Sequence, residues 1–233
     1  MRNKVIAVIP ARGGSKRILH KNIRSFFGMP IIARSIVAAK KSGIFDDIIV
    51  STDSDCIADI ARKYGATTPF IRPSSISDDH SGTNEVIKHA VNWYSENIGN
   101  IDYVCGIYPT APFLTPDMLI KGLDVLVNSG AAFAFSATEY SYPIQRAFHI
   151  DNNRRVNYID KYSKVKRSQD LKKSYHDAGQ FYWGMADSFL DDVDLFSNQS
   201  VPVILPSYLA HDIDEESDWK YAEILYAGYK KIF

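Results

Sequence analysis

The chain has 233 residues, of which 45% are hydrophobic and 23% charged, with 27 Lys and Arg balanced by 27 Asp and Glu. A chain of this length suits one large α/β domain that buries roughly 70% of its unfolded surface, and no Pro/Gly excess or low-complexity tract points to disorder. Zero net charge excludes a long-range field for nucleic acid or an anionic membrane, and no segment reaches the roughly 20 apolar residues of a spanning helix, so no nucleic-acid or membrane partner is expected.

The N-terminal apolar run is too short for a secretory signal, which makes the cytoplasm the default location. Val5 to Ile9 is uninterrupted and mostly β-branched, the pattern of a strand buried on both faces of a parallel sheet. Pro10 ends it. A polar loop runs to Asn22, after which Ile31, Ile32, Ser35, Ile36 and Ala39 recur at helical spacing until Gly43. Ile48 to Thr52 reads as a second strand, and Asp55 as the cap of a helix through Tyr64. A helix from Asn84 to about Glu96, a strand from Tyr103 to Ile107, a helix starting at Pro116 and a strand from Ala132 to Ala137 follow. Strands alternating with helices predict a doubly wound, mostly parallel sheet of α/β class.

From about Tyr140 to Tyr175 the alternation lapses into a segment rich in aromatic and basic residues, too long for an idle loop. We read residues 1–233 as a single domain with 140–175 as an insertion. Core-like sequence resumes at Ala178 to Met185 and Val201 to Leu205, and a last helix runs from about Glu215 to Ile232. The two cysteines, Cys56 and Cys105, fall in a helix and a strand, where a buried free thiol is the expectation.

The loop Pro10 to Asn22 carries Arg12, Lys16, Arg17 and Lys21 with no acid among them. Gly13 and Gly14 would permit positive φ and turn backbone N–H groups toward one spot, at the carboxyl end of a parallel strand where open α/β sheets bind ligands. A solvated basic loop is the alternative; the placement favours a polyphosphate site. Neither Gly-x-x-x-x-Gly-Lys-Ser/Thr nor Gly-x-Gly-x-x-Gly is present, which disfavours the two commonest phosphate loops.

Near the other end stands His211-Asp212-Ile213-Asp214. In extended chain, residues two apart share a side, so Asp212 and Asp214 can face one Mg²⁺ together while Ile213 faces the core. Capping of the last helix by Asp214 is the competing reading. Loop and carboxylates together suggest nucleotidyl transfer, with cations neutralising charge on the α-phosphate and the departing pyrophosphate.

The series Ile9-Pro10-Ala11-Arg12-Gly13-Gly14-Ser15-Lys16-Arg17 with Lys21-Asn22, Val50-Ser51-Thr52-Asp53-Ser54, Arg72-Pro73, Tyr108-Pro109-Thr110-Ala111-Pro112-Phe113 and Asp212-Ile213-Asp214 resembles the acylneuraminate cytidylyltransferases, or CMP-sialic acid synthetases. The likeness spans nearly the whole chain. It implies a Rossmann-like fold of the nucleotide-diphospho-sugar transferase type and transfer of CMP from CTP to the anomeric hydroxyl of a nonulosonic acid. By the same resemblance, Ala11, Arg12, Gly13, Gly14, Ser15, Lys16, Lys21 and Asn22 would meet CTP, with Arg12, Lys16 and Lys21 catalytic. Arg72, Ser81 and Thr83 would line the cytosine side, and Asp212 and Asp214 would hold Mg²⁺.

The sialic acid pattern carries Gln-Pro-Thr-Ser-Pro where this chain has Tyr108-Pro109-Thr110-Ala111-Pro112. The stretch Tyr175 to Gly184 is instead similar to the pseudaminic acid subgroup, so Tyr108, Thr110, Gln180, Phe181 and Tyr182 are the expected sugar contacts and pseudaminic acid the expected substrate. N-acetylneuraminate, legionaminate and 3-deoxy-octulosonate are the alternatives, and a catalytically silent nucleotide-binding protein is the alternative of another class. The insertion corresponds to a homodimerisation element, within which Arg146, Lys161 and Tyr162 are candidates for reaching the partner's site. His149, His176 and His211 are read as hydrogen-bonding scaffold.

Overall fold

The computed structural model describes residues 3–78 and 81–232. Strand β1 (Val5–Pro10) is followed by a small antiparallel pair, β2 (Ser25–Phe26) and β3 (Met29–Pro30), and by helix α1 (Ile31–Ser42). Next come β4 (Asp47–Ser51), α2 (Asp55–Tyr64), α3 (Thr83–Asn97), β5 (Tyr103–Ile107), α4 (Pro116–Ser129) and β6 (Phe133–Glu139). An exposed hairpin of β7 (Phe148–Ile150) and β8 (Val156–Tyr158) leads to β9 (Tyr175–Met185), α5 (Ala186–Leu190), β10 (Ser200–Leu205) and α6 (Glu216–Ile232).

The main sheet has the order β10-β6-β9-β5-β1-β4. β1 pairs in parallel with β4 and β5, and β10 in parallel with β6, as the alternating pattern predicts. β9 departs from that pattern by lying antiparallel between β5 and β6. Its position is the end of a long excursion, which frees it from the crossover rule that binds a βαβ unit.

Alternation along β1 divides the core between two faces. Val5, Ala7 and Ile9 join α1, α2, α4 and α6 on one side through Ile32, Ile57, Leu119 and Trp219, while Ile6 and Val8 join α3 and α5 through Ile87, Tyr94 and Phe189. Two apolar faces on one strand are what an uninterrupted VIAVI run encodes. Thr115 accepts from Met118 N–H at 3.4 Å to start α4 at Pro116, and Gly43 closes α1 with φ 68°.

Local expectations are corrected at three points. Ser54, not Asp55, occupies the N-cap of α2, and Asp55 sits in its first turn, where a carboxylate meets the helix dipole. Cys105 is buried in β5 but Cys56 is exposed, because position 56 faces outward from the first turn of α2. Asp214 does not cap α6: Asp218 reaches back and accepts the N–H groups of Glu215 at 2.8 Å and Asp214 at 3.0 Å, the N3 half of a capping box. Burial alone would raise the Asp218 pKa; those two donors prevail and hold it below the usual carboxylate value.

Residues 140–174 leave the sheet as an arm. Lys173 pairs with Glu139 at 2.8 Å and Gln145 donates to the Lys172 carbonyl at 2.8 Å, closing its base. Its apolar residues point outward: Tyr142 is 84% exposed, Val165 81% and Tyr162 87%. Arg146 donates to the Lys166 carbonyl within the arm.

Candidate active site

The carboxyl ends of β1 and β5 open onto one cleft of about 330 Å³. Pro10, Arg12, Lys21 and Asn22 line it from the β1 loop, Arg72, Asp78 and Ser81 from the segment before α3 with Thr83 at the start of that helix, Tyr108 and Thr110 from the end of β5, and Asp212 and Asp214 from the approach to α6. A second recess of about 360 Å³ adjoins it, sharing Arg12, Lys21, Asn22 and Asp214 and adding Ser15, Lys16 and Arg17. The sequence-predicted loop cations and the distant Asp-x-Asp therefore meet in space.

The loop is shaped by acids and carbonyls from outside it. Ala11, fully buried, donates its N–H to the Ser51 carbonyl at 2.9 Å, and Gly13 donates to Asp53 Oδ1 at 2.7 Å. Neither Gly13 nor Gly14 takes a positive φ, so their expected role changes. Gly13 is needed for closeness, since a Cβ there would lie 3.0 Å from the Cβ of Ser54, and its donor serves Asp53 rather than the cleft. Gly14 is exposed with open space around it. The left-handed residue is His20, at φ 53°, which turns the chain into the short helical turn Lys21–Ile23.

That turn aims the two most buried loop contributors. Asn22 donates from Nδ2 to the Arg12 carbonyl at 2.9 Å, and its buried Oδ1 has no hydrogen-bond partner. Lys21 donates to the Ile213 carbonyl at 2.7 Å and lies 3.4 Å from Asp214 Oδ1. Arg17 reaches the same oxygen at 3.2 Å. Two of the loop's cations, Arg17 and Lys21, are thus opposed after all, by a carboxylate about 190 positions away that no local pattern could reveal.

Asp212 and Asp214 flank the fully buried Ile213, as the two-residue period predicts. Asp212 is solvent-exposed on one side and backed on the other by Gly179. Burial first, and the charge of Asp214 second, push its pKa up, with Lys21 opposing. Two like charges held together in a partly desolvated corner are suited to a divalent cation that takes one or two carboxylates and completes its shell with phosphate and water.

At the opposite end Arg72 is 4% exposed, with Nε donating to Ser77 Oγ at 3.2 Å and Nη2 4.0 Å from Asp53 Oδ1. Burial lowers its pKa, Asp53 opposes that, and Arg12 adds to it. Nη2 makes no hydrogen bond of its own. Ser81 is fixed by Asp78, whose Oδ1 accepts its N–H and its hydroxyl at 2.7 and 2.8 Å. Thr83 Oγ1 meets the Tyr108 hydroxyl at 3.1 Å.

The expected sugar contacts divide. Tyr108 and Thr110 line the cleft. Gln180 and Phe181 are 2% and 0% exposed within β9; the Gln180 amide donates to the Leu209 carbonyl, and Phe181 packs beside Gly122 of α4. Tyr182, also buried, packs against Tyr108 with the rings tilted by 54° and centroids 5.2 Å apart, and donates to Asp177 at 2.5 Å. These three stand behind the cleft wall. Lys161 and Tyr162 lie out on the exposed arm. His176 and His211 bond the backbone carbonyls of Asp177 and Asp218, each at 2.8 Å, in scaffold fashion.

Asp53, Asp78 and Asp177 are the polar residues around the cleft that sequence reasoning missed as contributors. The Ser-Thr-Asp-Ser run ending β4 was the available signal for Asp53; Asp177 shows itself only through β9.

A sheet with this order, a basic loop after its first strand and a carboxylate pair across from it define a nucleotide-binding enzyme of the Rossmann-like type. The cytidylyltransferase family profile matches residues 6–225, and the chain belongs to that family of nucleotidyltransferases. It is 43% identical over 223 residues to a pseudaminic acid cytidylyltransferase of Campylobacter jejuni, covering 96% of each chain. It is 30% identical to a CMP-N,N'-diacetyllegionaminic acid synthase of Legionella pneumophila over 95% of this chain and 96% of that one. Among solved structures, a CMP:2-keto-3-deoxy-manno-octonic acid synthetase complexed with CTP superposes with a TM-score of 0.68 at 16% identity, covering 97% of this chain and all of that one. That last likeness concerns the fold.

Proposed function

We propose that the chain transfers CMP from CTP to the anomeric hydroxyl of a nonulosonic acid, with pseudaminic acid as the acceptor. The observation that carries this reading is the convergence of Arg12, Lys21, Asp212 and Asp214 at one end of a single cleft and Arg72, Ser81 and Thr83 at the other. The 43% identity to a pseudaminic acid cytidylyltransferase over nearly the whole chain supports the choice of sugar.

In this reading the triphosphate lies along the β1 loop. Arg12, Lys16 and Lys21 hold its oxygens, and the recess lined by Ser15 and Lys16 takes the departing pyrophosphate. Cytosine lies toward Arg72, Ser81 and Thr83, where the unbonded Arg72 Nη2 supplies a donor. Asp212 and Asp214 would hold Mg²⁺, which when bound would offset negative charge on the α-phosphate. The chain's own cations aim the phosphate and stabilise the charge that grows on it, a contribution worth about 3 kcal/mol per well-placed donor. The acceptor sugar enters beside Tyr108 and Thr110, where aromatic surface suits a deoxygenated, acetamido-bearing ring.

The arm at 140–174 would pack against a second copy, making the working unit a homodimer. Its large outward apolar side chains support this, since exposed clusters of that kind mark association surfaces. Among the described residues no helix is long and apolar enough to cross a membrane. In this reading the enzyme works where CTP is made, in the cytoplasm, and feeds the assembly of bacterial surface glycans.

The decisive measurement is pyrophosphate release from CTP and Mg²⁺ with pseudaminic acid, legionaminate, N-acetylneuraminate and 3-deoxy-octulosonate in parallel. Preferred turnover of pseudaminic acid is expected; turnover of N-acetylneuraminate alone refutes the sugar assignment.

A further inference from the structure

β9 does not run straight beside β6. Phe135 faces Tyr182, yet Ala137, two residues on, faces Asp177, so β9 advances five positions where β6 advances two. Residues 178–181 stand opposite the single Ser136 and form a bulge. Ser136, fully buried, accepts the N–H groups of Gln180 and Phe181, each at 3.2 Å, so the bulged backbone keeps partners. Gly179 makes the turn at φ +61°, a conformation costly for other residues.

The residues that bound the bulge are bonded to each other. Tyr182 donates its hydroxyl proton to Asp177 Oδ2 at 2.5 Å, and Asp177 Oδ1 accepts the Gly179 N–H at 2.9 Å. Hydrogen bonds to an ionised acceptor are about twice as strong as neutral ones. Burial and the neighbouring Tyr108 and Asp177 drive the Tyr182 pKa far up, so the donor keeps its proton.

Each side of this closed bulge touches a different end of the cleft. Gly179 abuts Asp212: a Cβ on it would lie 3.3 Å from Asp212 Cγ. Tyr182 backs Tyr108, whose ring hydroxyl reaches Thr83 and whose N–H donates to the Gln180 carbonyl inside the bulge at 2.9 Å. One short segment therefore contacts both the carboxylate end and the aromatic wall.

We propose that Asp177 is a positioning residue: by stapling the bulge through Tyr182 it fixes Asp212 relative to Tyr108, and so sets the gap that the acceptor sugar must fit. This rests on the cytidylyltransfer reading above and adds a determinant of sugar recognition that does not itself line the cleft. Asp177 spends one bond from each oxygen on the bulge and does not line the cleft, so it acts on the site through geometry.

Asp177→Ala, Asp177→Asn and Tyr182→Phe would be compared with the unaltered protein. Kinetics would give KM for sugar and for CTP, and backbone hydrogen exchange at residues 178–181 would be followed in the ligand-free protein. Asp177→Ala and Tyr182→Phe are expected to speed exchange there and to raise the sugar KM by about 10-fold, the scale of a sub-ångström misplacement, with the CTP KM within about 2-fold. Asp177→Asn keeps one oxygen to accept from Tyr182 but turns an amide donor toward the Gly179 N–H, and is expected to restore part of both. Faster exchange with an unchanged sugar KM overturns the positioning role, as does an equal loss in both KM values. Unchanged exchange overturns the staple. If the unaltered protein uses no nonulosonic acid, the functional reading falls instead, and exchange alone decides the staple.

Discussion

The loop at 11–22 and the arm at 140–174 are both basic excursions from the same sheet, but only the loop is completed by its own chain. Asp53 takes the Gly13 N–H, Asp214 takes Arg17 and Lys21, and Ser51 takes Ala11. The arm closes on itself at its base, then turns Tyr142, Tyr162 and Val165 into solvent. A segment whose polar groups are answered across the fold is built to hold a fixed charge pattern, whereas one whose apolar groups are unanswered is built to meet another surface.

The contrast is broken most severely at the loop. Lys21→Ala is expected to lower kcat by about 10²- to 10³-fold, the usual cost of losing one preorganised donor, with circular dichroism unchanged. Asp214→Ala tests the metal reading beside it: full activity over a Mg²⁺ titration would dismiss Asp214 as a ligand.

At the arm, the double change Tyr162→Glu and Val165→Glu is expected to convert a dimer to a monomer in sedimentation without lowering Tm by more than about 2 °C, because surface substitutions usually cost little. A monomeric unaltered protein would cancel the proposed partner. Any accompanying drop in kcat would show that the partner completes the site.

A smaller effect sharpens the loop side. Because burial and Asp214 raise the Asp212 pKa, its charged form costs stability; the penalty grows as pH climbs from the ordinary value of 3.8 through the raised one and persists at neutral pH. Asp212→Asn should therefore raise the metal-free Tm at pH 7 slightly, by about 1 °C at most because solvent on its exposed side screens the charge, while abolishing turnover. A Tm below that of the unaltered protein would mean the carboxylate is structural.

Smallest of all, one equivalent of a thiol reagent should react with the native protein, at Cys56, since Cys105 is buried and desolvation holds its pKa well up.

The alternating half of the fold was legible in the sequence because period and burial coincide there: VIAVI can only be a two-faced strand, and Gly43 ends α1 where the apolar pattern stops. β9 was legible as core but not as antiparallel, since direction depends on where a 35-residue excursion returns the chain. In the site, the loop cations and Asp212 and Asp214 were readable from local clustering. The partners that orient them were not. Asp53 and Asp177 act through pairings set by the sheet, and the Asp218 cap took the role that Asp214 was equally placed to fill.

The double pairing of Asp214 has a thermodynamic consequence. Arg17 and Lys21 sit on the carboxylate that the proposed metal would need, and they are the cations a triphosphate would attract. Nucleotide that draws those side chains away leaves Asp214 with uncompensated charge, and a metal that claims Asp214 leaves two cations uncompensated. Each ligand thus removes an obstacle to the other. By reciprocity, whatever factor CTP added to metal affinity the metal would add to CTP affinity, so in the proposed reading this one carboxylate would make the two bind as a coupled pair.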